Sequence, residues 1–483
     1  MTTERTLYWH DYETFGADPR RDRPVQFAGI RTTEDLEIVG EPLMIFCRPA
    51  GDTLPHPEAC LVTGITPQQA EAEGLPEPEF IRRIHEELAR PGTCGVGYNT
   101  IRFDDEVTRF TLYRNFFDPY GREWQNGNSR WDIIDMVRMT YALRPEGIEW
   151  PLREDGHPSF KLEHLTEANG ISHEGAHDAL SDVTATIDMA RLIRERQPRL
   201  YDYLYRLRSK HRVEELIDIP RRKPLVHTSR MFPAAHGCTA LVAPLARHPS
   251  NPRGVIVFDL RHDPTPLLEL EPEDIQQLMF TPAEERTPDM PRVPLKTLST
   301  NKSPAIAPAK TLSSENAERL DIDLDAHRRH WKMLAEAPEL EEKVQAVFAG
   351  GPPEGFSDPD SALYSGGFFP DGDRARMEQV RSAPPGELGA LEDHFEDPRL
   401  RELLFRYRAR NYPDTLDADE RQRWRELRQM RLTDPEGGAS ITINALRDRI
   451  EELRDSDTIT GPELVILDEV EAYAERLVND AHT

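Results

Sequence analysis

Along the first 195 or so residues the spacing of hydrophobic positions changes repeatedly, and each change predicts a new element. Residues 6–10, 25–32, 38–48 and 93–98 are short runs of apolar, β-branched and aromatic side chains bounded by turn formers, which predicts strands. Residues 79–89, 104–115, 131–143, 161–168 and 178–196 space their apolar positions three and four apart, which predicts amphipathic helices. Strands early and helices later, joined by short turn-rich segments, predict a mixed sheet covered by helices, an α/β domain.

The texture changes after Gln197-Pro198. Short apolar runs at 240–245, 254–260 and 265–270 are separated by Pro, Asn and Gly, which predicts a small β-rich domain with helical insertions. The stretch GGPPEGFSDPDSALYSGGFFPDGD, residues 350–373, reads as a linker. Helical patterns follow to the end, among them 400–411 and 445–477, and no internal repeat is present. The expected division is 1–198, 199–350, a linker at 351–373, and a helical domain at 374–483.

Composition alters this picture little. No run of eighteen apolar residues and no basic, apolar leader is present, so the protein is expected to be soluble and cytoplasmic, with no membrane partner. Cys47, Cys60, Cys94 and Cys238 lie far apart without metal-site spacing and read as reduced packing residues. Net charge is −27, from 87 acidic against 60 basic residues, which argues against a uniformly nucleic-acid-binding surface. A local exception stands at 201–230, with eight Lys or Arg against four acids, including Arg206, Arg208 and Arg212.

Three short stretches carry candidate chemistry. In HDYETFG, Asp11 and Glu13 lie two apart at the end of a predicted strand, and side chains i and i+2 of a strand share a face. Two carboxylates held that close repel unless a cation sits between them. In GYNTIRFDDEV, a strand ends near Tyr98, Asn99 and Thr100 turn the chain, and Asp104 falls at the start of a helix. In GAHDALSDVTATIDMA, His177 and Asp182 are five apart, about 140° around one ideal helix, so His177 is expected in the loop before a helix whose first turn carries Asp182. Singly, each stretch reads as an ordinary solvated strand end, acidic helix start or exposed imidazole. Together they supply four hard oxygen ligands and one base, the set needed for two-metal hydrolysis of a phosphodiester.

DYET, NTIRFD and HDALSD resemble the three motifs of the DEDD superfamily of 3′→5′ exonucleases, in the subgroup with a histidine base. The wider wording, including DRPVQFAGIRT, LVTGITP, NSRWDIIDM, YALRPEGIEWP, SFKLEHL, RQPRL and LLFRYRARN, closely resembles bacterial exonuclease I as far as Arg425. The resemblance implies an RNase H-like nuclease domain, an SH3-like domain and a C-terminal helical domain. It implies a monomer that degrades single-stranded DNA from a free 3′ end to 5′-mononucleotides, in DNA repair and recombination. Asp11, Glu13, Asp104 and Asp182 would hold two Mg²⁺ ions, with Mn²⁺ as a substitute, and His177 would serve as general base.

Tyr12, Phe15 and Asn99, the island residues Arg206, Arg208 and Arg212, and Arg408 in an Arg-Tyr alternation are candidate DNA contacts. The family also docks the C-terminal tail of the single-stranded-DNA-binding protein. Arg144 and Tyr203 match that pocket, whereas Pro308 and Ser313 stand where Gln and Arg are expected. Two alternatives are an RNA 3′-end trimmer, which the long extension past residue 200 disfavours, and an inactive nucleic-acid scaffold, which the complete acidic set disfavours. Every proposed ligand precedes Pro198, so the later residues are expected to be dispensable for the chemistry itself.

Overall fold

The computed structural model describes residues 5–173, 178–287, 290–350, 358–456 and 459–482. The chain forms two compact units, one of residues 1–129, 174–184 and 354–483, the other of residues 130–173 and 185–353.

In the first unit, β1 (Thr6–Thr14) pairs antiparallel with β2 (Pro24–Thr33), β2 pairs antiparallel with β3 (Leu43–Phe46), and β1 pairs parallel with β4 (Thr93–Gly97). The sheet is therefore mixed, as expected. β1 runs four residues past the predicted end because its second half alternates: Asp11 and Glu13 are half-buried, Tyr12 and Thr14 buried. β3 is shorter than 38–48, since Gly40 adopts a left-handed φ of 78° ahead of it.

Helices α1 (Pro57–Thr63) and α2 (Pro67–Glu73) escape the periodicity, being only seven residues each, and both open with proline at the first helical position. Helices α3 (Glu77–Leu88) and α4 (Asp104–Arg114) lie close to expectation. Phe80, Ile81, Ile84 and Leu88 of α3 with Val107 and Leu112 of α4 form one core with Tyr8, Tyr12 and Phe27 of the sheet.

The C-terminal residues are built into this same unit. Phe110, Tyr113 and Phe116 share a core with Leu363, Met377, Phe395, Leu400 and Tyr407, while Phe15, Val25 and Leu54 share another with Leu432, Ile441, Leu467 and Val470. Part of the stretch read as a linker belongs here too: Pro359–Tyr364 is a 3-10 helix with Asp360 to Leu363 buried, because Asp360 is drawn inward by arginines. Arg410 donates to both Asp52 (2.7 Å) and Asp360 (2.6 Å), Arg431 to Asp358 (2.7 Å), and Arg406 to Asp358 (3.0 Å) and Asp360 (2.7 Å). Burial alone would push the Asp52 carboxyl up, but Arg410 and Arg431 hold it far below the usual range.

Arg130 opens the second unit within β5 (Ser129–Asp132), so 131–132 is strand, and the predicted helix starts only at α5 (Ile134–Leu143). Trp131 packs its ring edge-on to Tyr201. Two further helices, α6 (Leu162–Ala168) and α7 (Ala179–Arg196), match the pattern closely. A five-stranded antiparallel sheet follows, β6 (Leu225–Thr228), β7 (Thr239–Arg247), β8 (Gly254–Asp259), β9 (Leu295–Ser299) and β10 (Ala305–Pro308), in the order β10-β6-β7-β8-β9. The run at 265–270 is not a strand but the short helix Thr265–Glu269, started by Pro266. Among the described residues no helix is long and apolar enough to cross a membrane.

Candidate active site

The end of β1 supplies the first two carboxylates, and the start of α7 the third. Asp11 and Glu13 alternate with the buried Tyr12, which directs both to one face of the strand. Asp182 lies in the first turn of α7, where its backbone N–H donates to the Asp178 carbonyl (3.0 Å). The helix thus begins one residue later than predicted, with Asp178 capping it: an Asp178 carboxylate oxygen accepts from Ser181 N (3.2 Å). One ligand atom from each of Asp11, Glu13 and Asp182 lies within 4.8 Å of the others.

Asp104 joins the group from the first residue of α4. It is buried, and its Oδ1 accepts from the backbone N–H of Tyr12 (3.0 Å), the residue between the two β1 acids. Thr108 braces that contact: its hydroxyl donates to the Asp104 carbonyl (2.8 Å) and meets the Tyr12 hydroxyl at 3.1 Å. His177 lies outside the described residues.

Electrostatics show what the cluster lacks. Burial, then the charges of Asp104, Glu13, Asp182 and Asp178, push the Asp11 carboxyl well above its usual range. Burial, then Asp182, Asp104 and Asp178, push Glu13 up to about 8. All the donors are hard oxygens with unrelieved like charge, a set that fits divalent cations.

A pH dependence follows. Between the unfolded glutamate pKa of about 4.3 and the folded value the native protein binds more protons than the unfolded chain, so stability falls as pH rises through that window. Calorimetry in chelator is expected to show the melting temperature falling between about pH 5 and pH 8, and saturating Mg²⁺ to remove most of that slope. A metal-free protein that gains stability over the same window would contradict the assignment.

Beside Glu13 opens a cleft of about 670 Å³, lined in part by Thr14, Gly16, Arg21, His56, Phe103 and Ser440. Gly16 is required by close approach, since a Cβ there would lie 2.2 Å from an Asp22 oxygen and 2.6 Å from the His56 ring. His56 Nε2 meets the Ser440 hydroxyl at 3.1 Å, and Ser440 in turn donates to Asp22.

Family models match the chain in three consecutive segments: Exonuclease over residues 8–190, Exonuclease I SH3-like domain over 208–350, and Exonuclease I C-terminal domain over 357–477. The chain is 52% identical to exodeoxyribonuclease I of Escherichia coli (strain K12) over 430 residues, 89% of this chain and 90% of that one. The chain belongs to the exonuclease I family. Two solved exonuclease I structures superimpose on it with a TM-score of 0.94. One is the moderately thermophilic enzyme of Methylocaldum szegediense, at 52% identity, covering 98% of this chain and 100% of that one. The other is the zinc-bound form of the Escherichia coli complex with single-stranded DNA, at 48% identity, covering 99% and 100%. The three-part exonuclease I architecture, nuclease, SH3-like and C-terminal, is thus present in order.

Three of the residues expected to contact DNA are buried in this structure. Tyr12 is 3% exposed, with its ring edge-on to Phe27 at 4.8 Å, and lies along the cleft beside Glu13, while Phe15 is buried among Val25 and Leu54. Arg408 is likewise buried, donating to Glu420 (3.0 Å) and to the Thr415 carbonyl (2.9 Å). The Arg-Tyr alternation is an inward-facing stripe, because buried carboxylates recruit its guanidinium groups.

Asn99 is half-buried and turns the chain with a left-handed φ of 66°. Arg206 is exposed, Arg208 stacks on the Tyr205 ring at 3.6 Å, and Arg212 is an exposed partner of Glu215 at 2.9 Å. Tyr203 donates to the Ile306 carbonyl (3.0 Å) and Arg144 to the Thr311 carbonyl (3.5 Å), so both meet the segment that contains Pro308 and leads to Ser313, the N-cap of helix Ser314–Arg319.

Gln26, His56 and Ser440 carried no signal in the sequence. Their neighbours in the fold lie 152, 384 and 418 positions away.

Proposed function

We propose that this protein hydrolyses single-stranded DNA from a free 3′ end and releases 5′-mononucleotides, at the site formed by Asp11, Glu13, Asp104 and Asp182. The observation that supports this most is the convergence of Asp11, Glu13 and Asp182 to within 4.8 Å beside an open cleft, in an exonuclease I chain.

The four carboxylates would hold two divalent ions, Mg²⁺ with Mn²⁺ as a substitute, which would supply positive charge for activating water and for the leaving 3′-oxygen. The protein's own groups do the rest. The Tyr12 amide and Thr108 fix Asp104, and the Asp178 cap fixes the turn that carries Asp182. His177 takes the proton of the attacking water. Arg21 and His56 face the cleft and serve the terminal nucleotide. The domain at 1–198 carries the reaction, and Arg206, Arg208 and Arg212 of the domain at 199–350 hold phosphates away from the reacting end.

The protein acts as a cytoplasmic monomer in DNA repair and recombination. Arg144 and Tyr203 receive the acidic tail of the single-stranded-DNA-binding protein, with Pro308 and Ser313 changing its fit.

End-labelled single-stranded DNA, single-stranded RNA and blunt duplex DNA, each incubated with Mg²⁺ and with chelator, test the reading. Single-stranded DNA is expected to be shortened from its 3′ end to mononucleotides with Mg²⁺ only. Preference for RNA, or equal attack on blunt duplex ends, would overturn it.

A further inference from the structure

Gln26 sits directly across the β1–β2 ladder from Glu13. Its side chain is 3% exposed and does not stay on its own strand. The amide nitrogen donates to an Asp178 carboxylate oxygen (3.1 Å) and the amide oxygen accepts from the backbone N–H of Ala179 (3.1 Å), with the Met44 sulfur as a further neighbour at 3.8 Å. One neutral side chain therefore grips both the cap and the first residue of the helix that carries Asp182. Asp178 cannot do this alone, because its other oxygen is used on Ser181.

The consequence is a rigid crosspiece between two ligand-bearing elements. Glu13 is fixed to the Gln26 backbone by strand register, and the α7 N-terminus is fixed to the Gln26 side chain. The separation of Glu13 and Asp182 is then set by the length of one glutamine. These are also the two carboxylates that must be held together against their own repulsion. We infer that Gln26 is a positioning residue for the metal cage, setting the distance between Glu13 and Asp182, an assignment that rests on the metal-site reading above. Glutamine suits the task because its amide offers a donor to a carboxylate and an acceptor to a backbone N–H at once, without adding charge to an acidic cluster.

The test measures Mn²⁺ binding to the full-length protein by electron paramagnetic resonance, alongside the metal dependence of turnover and the melting temperature, for Gln26→Ala, Gln26→Glu and, as a control, Asp182→Asn. Residues that support metal ligands typically govern about 10–100-fold in affinity. Gln26→Ala is expected to weaken Mn²⁺ binding by about tenfold or more, with turnover largely restored at high Mn²⁺ and KM for DNA little changed. Gln26→Glu keeps the size and the acceptor but replaces the donor with a charge, and is expected to weaken binding at least as much. It also preserves the test should the alanine variant fold poorly. If Asp182→Asn weakens Mn²⁺ binding while both folded Gln26 variants bind it normally, the crosspiece is refuted and the metal site stands. If Asp182→Asn binds Mn²⁺ normally, the metal-site reading itself falls. A lowered melting temperature without any change in Mn²⁺ affinity would reduce Gln26 to a structural cap and overturn the inference.

Discussion

Asp182→Ala is expected to lower turnover by about three powers of ten while raising the melting temperature of the metal-free protein. Both effects have one origin. After burial, Asp182 is the largest influence raising Glu13, so its removal relieves repulsion that the empty cluster stores. The same removal takes one oxygen ligand from a set whose charge stabilisation of the transition state amounts to several kcal/mol. A loss of about 4 kcal/mol corresponds to roughly a thousandfold in rate. Steady-state digestion of a labelled single strand, paired with calorimetry in chelator, checks both signs together. Turnover within tenfold of the parent would remove Asp182 from the site, and a lowered melting temperature would mean that its charge is compensated inside the protein.

Arg410→Ala is expected to destabilise the whole first unit by about 3–5 kcal/mol, the usual result of removing one partner from a buried ion pair. Arg410 donates from all three of its nitrogens to Asp52 and Asp360, and Asp52 is fully buried. The variant removes four hydrogen bonds from these two carboxylates and leaves their buried charge less compensated. A fragment ending near Pro198 is expected to fare worse. It lacks Arg410 and Arg431, and it exposes Phe110, Tyr113 and Phe116 together with the patch around Phe15 and Leu54. Residues 354–483 belong to the same compact unit as Asp11, Glu13, Asp104 and Asp182, so their loss is expected to act through the fold. Circular dichroism and urea unfolding of the point variant, with solubility and near-ultraviolet spectra of the fragment, provide the check. A cooperatively folded fragment would show the arginine network to be dispensable.

The acidic set was legible in the sequence because its logic is local. Asp11 and Glu13 share a strand face by alternation, and Asp104 and Asp182 each open a helix whose apolar spacing announces it. The strand-rich first domain and the helical end were legible for the same reason. What escaped is long-range. Arg406, Arg408 and Arg410 read as a basic face, and only the fold reveals that Asp358, Asp360 and Glu420 turn them inward. Tyr12 and Phe15 read as base-stacking rings because an aromatic beside a carboxylate motif looks exposed until Phe27 and Val25 cover it. Gln26 was invisible for the opposite reason: a polar residue in an apolar strand carries no pattern, and its partners enter 152 positions later.

The arginine network also sets a schedule for synthesis. Asp52 leaves the ribosome 358 positions ahead of the Arg410 that neutralises it, and at the usual pace of about 5–20 residues per second that interval is some tens of seconds. Throughout it, Phe15, Val25 and Leu54 wait for Leu432, Ile441 and Leu467, the later half of their shared core. The unit that contains Asp11 and Glu13 is consequently completed only once the last helices have been delivered.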